Sequence, residues 1–111
     1  MTFEQNQETP EFVAEHELSV GALTTPVRIR ISRRKSDGAL LVEQSHFIKT
    51  AIQYLPHSAN QPFFCDESKV LDDLLATMTS FYDQAIRRGY KPSESWLVPN
   101  SGFRRSARDQ G

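Results

Sequence analysis

Val27-Arg28-Ile29-Arg30-Ile31-Ser32-Arg33-Arg34-Lys35-Ser36-Asp37-Gly38-Ala39-Leu40-Leu41-Val42-Glu43-Gln44-Ser45-His46-Phe47-Ile48 is the stretch that decides how this chain folds. Val27, Ile29 and Ile31 alternate with Arg28, Arg30 and Ser32. Leu40, Val42, Gln44, His46 and Ile48 alternate with Leu41, Glu43, Ser45 and Phe47. Period two marks strands that bury one face. The intervening Asp37-Gly38 signals a two-residue type I′ hairpin. With that turn Ile29 faces His46, Val27 faces Ile48 and Arg28 faces Phe47, so the apolar faces coincide. A slip of one residue would mix them, which the pleat penalises. The alternation continues through Ile52 and Tyr54, which extends the third strand from 49 towards 54.

Upstream, Phe12, Ala14, His16, Leu18 and Val20 share one face, and Val13, Glu15, Glu17 and Ser19 the other. The chain then turns through Gly21–Thr25. Five acids and no Lys or Arg precede Arg28, after which five bases fall within eight residues: Arg28, Arg30, Arg33, Arg34 and Lys35. Two registers of this first hairpin keep the apolar faces together. Both set Glu15 and Glu17 beside Arg28 and Arg30, so the blocks neutralise each other across the strands.

Downstream, Asp66 suits a helix N-cap and Glu67 the positive end of the helix dipole. Val70, Leu71, Leu74, Leu75, Met78, Phe81, Tyr82, Ala85 and Ile86 form a stripe at helical spacing. Arg87 and Arg88 sit at the negative end, Gly89 is placed to cap it, and Pro92 follows. A helix over 67–88 spans roughly 30 Å, about the length of a nine-residue strand. One helix therefore covers one face of a three-stranded sheet. The expected fold is α+β: an antiparallel meander of residues 11–20, 26–35 and 39–49 with one long helix packed on one face. Ser95-Trp96-Leu97-Val98 reads either as a short fourth strand or as a segment packing Trp96 on an edge. Residues 1–10 read as a flexible N-terminal segment, 11–100 as a single domain and 101–111 as a flexible basic tail.

The 111 residues carry 13 Lys and Arg against 14 Asp and Glu, a net charge of −1. That balance argues against a polybasic protein whose whole surface binds nucleic acid. No apolar run approaches the roughly 18 residues of a membrane span, and Met1–Gln5 lacks the pattern of a secretory signal. A cytoplasmic location without membrane contact is expected. The single cysteine, Cys65, excludes an intramolecular disulfide and a multi-cysteine metal cage.

No catalytic set assembles. His16-Glu17-Leu18-Ser19-Val20 opens like a zinc-protease helix, but position 20 is valine and the segment is a strand. His16 and His46 are a whole strand apart, roughly 9–10 Å, too far to share one zinc. Cys65 at the helix start and His57 in the preceding loop lack a third orienting residue. Glu15 and Glu17 are expected to be ionised partners of arginines rather than a general acid. The five glycines are scattered and form no phosphate loop. No cofactor or metal is expected.

Two surface features remain. Leu41 and Phe47 point away from the helix side and Trp96 with Leu97 has no assigned place in the core, so these residues call for a cover from the chain's own C-terminal segment, a second copy or a partner, and charged residues around aromatic anchors are a common interface arrangement. The expected function is a small non-enzymatic interaction module that binds a protein partner, or a second copy of itself, through Arg28, Arg30, Leu41, Phe47 and Trp96. The alternative is a nucleic-acid-binding accessory protein using Arg28, Arg30, Arg33, Arg34 and Lys35 on a basic ribbon. A third is a small enzyme with a pocket between the 55–65 loop and the helix start.

Overall fold

A computed structural model describes residues 9–103. The first sheet is a meander of β1 (Glu11–Leu18), β2 (Val27–Arg33) and β3 (Leu40–Gln44), all antiparallel. A second, two-stranded sheet pairs β4 (His46–Ile48) with β5 (Leu97–Pro99). One long helix, α1 (Glu67–Arg87), buries Val70, Leu74, Met78, Tyr82 and Ala85. These join Val27, Ile29, Ile31, Leu40, Val42 and Ile48 in one apolar core. The α+β architecture expected from the alternation is the one observed. Predicted boundaries 1–10 and 101–111 lie largely outside the described residues.

The first hairpin keeps one of its two expected registers. Glu17 pairs with Arg28, Glu15 with Arg30 and His16 with Ile29. A bulge between Phe12 and Ala14 shifts Phe12 opposite Ser32, out of step with the face assigned to it by strict alternation. The second hairpin differs from expectation by two residues: Ile29 faces Gln44, not His46. A type I′ turn needs positive φ at both central residues, and Gly38 takes it (φ 76°) whereas Asp37 does not. The closing pair is instead Arg34 and Ala39, with Lys35–Gly38 as a four-residue loop. The Asp37 carboxylate accepts two bonds from the Arg34 guanidinium and one from the Ala39 N–H. Those contacts, the Arg34 bond first, hold its carboxyl down to about 2.

The third strand does not run on to 49 or 54. It breaks at Ser45, whose hydroxyl accepts the Arg28 N–H at 2.8 Å while its own N–H donates to the Arg28 carbonyl at 2.9 Å. A side chain thus replaces one carbonyl of the ladder. The Ser45 carbonyl accepts the Asn100 N–H instead, and β4 pairs away from the main sheet with β5. Thr50 and Gln53 then close a turn, which leaves Tyr54 98% exposed. Trp96 is buried at the end of a single 3-10 turn, Glu94–Trp96, with its ring edge-on to Tyr82 at 5.8 Å.

The free edge of β3 is closed by the loop before α1. Leu40 exchanges both backbone bonds with Phe63, and the Gln61 amide bonds both the N–H and the carbonyl of Val42. Gln61 therefore does the pairing of a fourth strand, which removes a template for edge-to-edge association. The ends of α1 follow local rules. Asp66 accepts the Lys69 N–H, which holds its carboxyl below the usual range. At the other end Gly89 (φ 94°) donates to Ile86 and Tyr90 to Ala85, a Schellman cap.

The turn between β1 and β2 is held from two sides. Gly21 has φ 53°, and a Cβ there would overlap the Tyr82 ring, whose hydroxyl accepts the Ala22 N–H. Glu94 accepts the N–H groups of Thr24 and Thr25 and the Thr25 hydroxyl. The Thr24 backbone bond, followed by the Thr25 hydroxyl and backbone bonds, lowers the Glu94 carboxyl from 4.5 to about 2. Gly21→Ala is expected to lower stability by about 2–3 kcal/mol in urea unfolding, since it adds left-handed strain to a displaced Tyr82. Because the folded-state pKa of Glu94 is depressed, its contribution is complete above about pH 4.5 and is lost as pH falls towards about 2. Thermal melts of Glu94→Gln are therefore expected to fall less steeply than wild type across that window.

Candidate functional site

Positions 28, 30 and 32 of β2 point away from the helix, and the carboxylates of β1 and β3 flank them. Glu15 pairs with Arg28 and with Arg30, and Arg30 also reaches Glu43 at 3.3 Å. The ladder places Glu15, Arg30 and Glu43 in register across three strands. Arg30 is the most enclosed member, with a side chain only 11% exposed. Asn100 turns the chain after β5: its amide donates to the Gln44 carbonyl, and its own carbonyl accepts the Phe103 N–H. Phe103 then lies against the Arg30 guanidinium, 4.4 Å from its ring centroid. Nη2 of Arg30 is buried with no acceptor among the described residues, and the ring face adds a cation–π contact to the charge that Glu15 and Glu43 offset.

The residues expected to form one contact surface are therefore separated. Arg28 and Arg30 are tied into the ladder. Leu41 and Phe47 are half-buried, with Phe47 opposite Val98 on β5. Trp96 is 6% exposed and belongs to the core, so as an interface contact it is corrected. One helix cannot fill the space between two sheets, and Trp96 occupies what remains beside Tyr82. The basic ribbon is divided as well. Arg34 is paired twice with Asp37 and its pKa is raised by that bond. Arg33 and Lys35 are exposed, and Arg28 and Arg30 face carboxylates.

The loop between β4 and α1 carries two features that the charge pattern did not reveal. The first is the turn at 50–55. The Gln53 side chain accepts the Thr50 N–H and donates to the carbonyls of Ile48 and Leu55. Tyr54 and Leu55, 98% and 75% exposed, project from this pinned turn. The second is a cleft of about 240 Å³ between α1 and the loop. Gln44, His57, Asn60, Asp73 and Thr77 supply its polar wall, and Phe63, Leu74 and Met78 its apolar floor. A pocket by the 55–65 loop was expected near the helix start, and this one opens beside the second and third turns.

The histidines are dispersed. His16 pairs with Glu67 at the first turn of α1. His46 is bonded through Nδ1 to the Ser45 hydroxyl, and burial lowers its pKa. His57 packs against Phe81 with ring centroids 5.3 Å apart and planes tilted by 45°. Cys65 is exposed, and no group of three metal-ligating side chains occurs among the described residues. No helix among them is long and apolar enough to cross a membrane. Comparison with known proteins adds no relation: no family model, curated protein or solved structure matches the chain.

The enclosure of Arg30 separates a structural arginine from a surface one. Arg30→Gln is expected to cost about 2 kcal/mol in urea unfolding, because Glu15 and Glu43 lose a partner and Phe103 its platform. Arg33→Gln, at an exposed strand end, is expected to stay within about 0.5 kcal/mol.

Proposed function

We propose that this chain is a non-enzymatic interaction module that binds a protein partner, and that the partner docks on the Tyr54–Leu55 turn rather than on the arginine-rich sheet face. The observation that carries this reading is the exposure of two adjacent large side chains on a turn whose backbone is fixed by Gln53. Isolated exposed apolar residues are ordinary on protein surfaces. A Tyr-Leu pair on a pinned turn differs because the backbone beneath it has little conformational entropy left to lose on binding. Tyrosine is also a favoured anchor, with an apolar body and a polar tip. Burying both side chains recovers roughly 3–5 kcal/mol, enough for the centre of an interface but not for the whole of it.

The sheet face supports the reading less well. Its arginines already have carboxylate partners, and Phe103 occupies the most enclosed of them. The same pairing weakens the nucleic-acid alternative, since Arg34 also carries Asp37. Phosphate contacts there would have to displace ion pairs that the fold has already formed.

Affinity capture from extract of the native host with wild type, Tyr54→Ser/Leu55→Ser and Phe47→Ser tests the proposal. A partner retained by wild type and Phe47→Ser but lost with the double variant is the expected result. Because neither Tyr54 nor Leu55 packs in the core, melting temperatures of wild type and double variant are expected to agree. Equal retention by all three proteins would refute the Tyr54–Leu55 anchor. Light scattering across concentration identifies the case in which the partner is a second copy. Salt-sensitive mass gain with a random oligonucleotide would favour the basic ribbon instead.

A further inference from the structure

We infer that the free edge of β1 takes up, as an added antiparallel strand, an extended segment of a partner protein in which arginine or lysine alternates with apolar residues. Backbone parity sets what that edge offers. The Arg28 carbonyl accepts the Ser45 N–H and the Arg34 N–H donates to Ala39, so the even-numbered residues from 28 to 34 bond towards β3. Alternate residues of a strand bond to opposite sides. Val27, Ile29 and Ile31 therefore bond to β1, through their partners Leu18, His16 and Ala14. Glu15 and Glu17 turn their N–H and carbonyl groups outward, where no strand pairs with them among the described residues. The edge of β3 is closed by Phe63 and Gln61, but β1 has no such cover. β1 holds no Lys or Pro, the usual guards of an edge, and its bulge lies at its start, before the regular run Ala14–Leu18.

The side chains select the kind of strand. On its inner side β1 already pairs with Val27-Arg28-Ile29-Arg30-Ile31, whose arginines share a face with Glu15 and Glu17. Glu15 serves both Arg28 and Arg30. Glu17 is exposed and makes no ion pair among the described residues, so its carboxylate is left for a cation on the outer side. Phe12, opposite Ser32 on the same face and 57% exposed, offers a ring to a further guanidinium, as Phe103 does to Arg30. On the other face Ala14 and Leu18 are half-buried, which suits the apolar residues between the cations. A second copy fits poorly: antiparallel pairing of β1 with itself about these groups sets Glu15 against Glu15 or Glu17, and like charges directly opposite are destabilising. The edge belongs to β1 and the Tyr54–Leu55 turn follows β4, so neither reading depends on the other.

Titration of the isotope-labelled full chain with a short capped peptide of alternating valine and arginine, followed by amide NMR and hydrogen exchange, tests the edge. One control peptide carries glutamate for arginine, and a second keeps the arginines but has proline for valine. In the free chain the Glu15 and Glu17 amides are expected to exchange faster than that of His16. The valine–arginine peptide is expected to give saturable shifts at roughly 0.1–1 mM and to slow exchange at Glu15 and Glu17, with neither effect from the controls. Glu17→Gln, at an exposed position, is expected to keep the fold and weaken binding about threefold. Glu17→Pro, which removes an outward N–H that β2 does not use, is expected to abolish it. Absence of saturation, an equal response to the proline peptide, or unchanged affinity in Glu17→Pro would overturn the proposal. Protection of the Glu15 and Glu17 amides before any peptide is added would also overturn it, by assigning the edge to the chain itself or to a second copy.

Discussion

The hydroxyl of Ser45 accepts the Arg28 N–H where a strand would offer a peptide carbonyl, and most of the remaining architecture depends on that exchange. It lets the backbone of Ser45 leave the ladder without orphaning the Arg28 donor, which burial would make costly. The carbonyl set aside at Ser45 accepts the Asn100 N–H, and the Asn100 side chain caps the Gln44 carbonyl. The C-terminal segment is thereby anchored against the end of β3. From that anchor β5 pairs with β4, Trp96 enters the core beside Tyr82, and Phe103 turns over Arg30.

Side chains substitute for backbone at other points in the same manner. Gln61 completes the edge of β3, Gln53 closes the turn after β4, and Glu94 satisfies two backbone donors of the first turn. In a chain this short, such substitutions allow a three-residue strand pair and a long loop to be held without further elements. They also decide which surface is left available. The edge of β3 is closed, and the arginine face is occupied by carboxylates and an aromatic ring. The Tyr54–Leu55 turn is held in place but uncovered, Phe12 and Phe64 are exposed as well, and a cleft opens beside α1.

This division sets the two surface features weighed from charge and alternation within contacts that the folded chain makes itself. Arg28 and Arg30 read as ladder partners in preference to binding residues, and both pair with Glu15, Arg30 with Glu43 as well. Tyr54 continued a period-two pattern that would have buried it, but the pattern outlived the strand. The cleft had a faint signal in the length of the 55–65 loop. Its polar wall did not, because Gln44, Asn60, Asp73 and Thr77 come from three elements with no shared spacing.

What the sequence by itself determined is everything governed by short-range periodicity and local capping. The alternation over Val27–Ile31, the acid and base blocks that match Glu17 to Arg28, the apolar stripe of α1 and the roles of Asp66 and Gly89 all act within one element or between adjacent strands. Only the tertiary structure decided where the third strand ends, how Asp37-Gly38 turns and where Trp96 resides. The strand end and the place of Trp96 are competitions between a local preference and a distant partner, and the turn is set by the side chain of Arg34, three residues before Asp37. Asn100 competes for the Ser45 carbonyl, Arg34 fixes the Asp37 carboxylate, and Tyr82 receives the indole, and none of those contacts carries a period that a sequence can display.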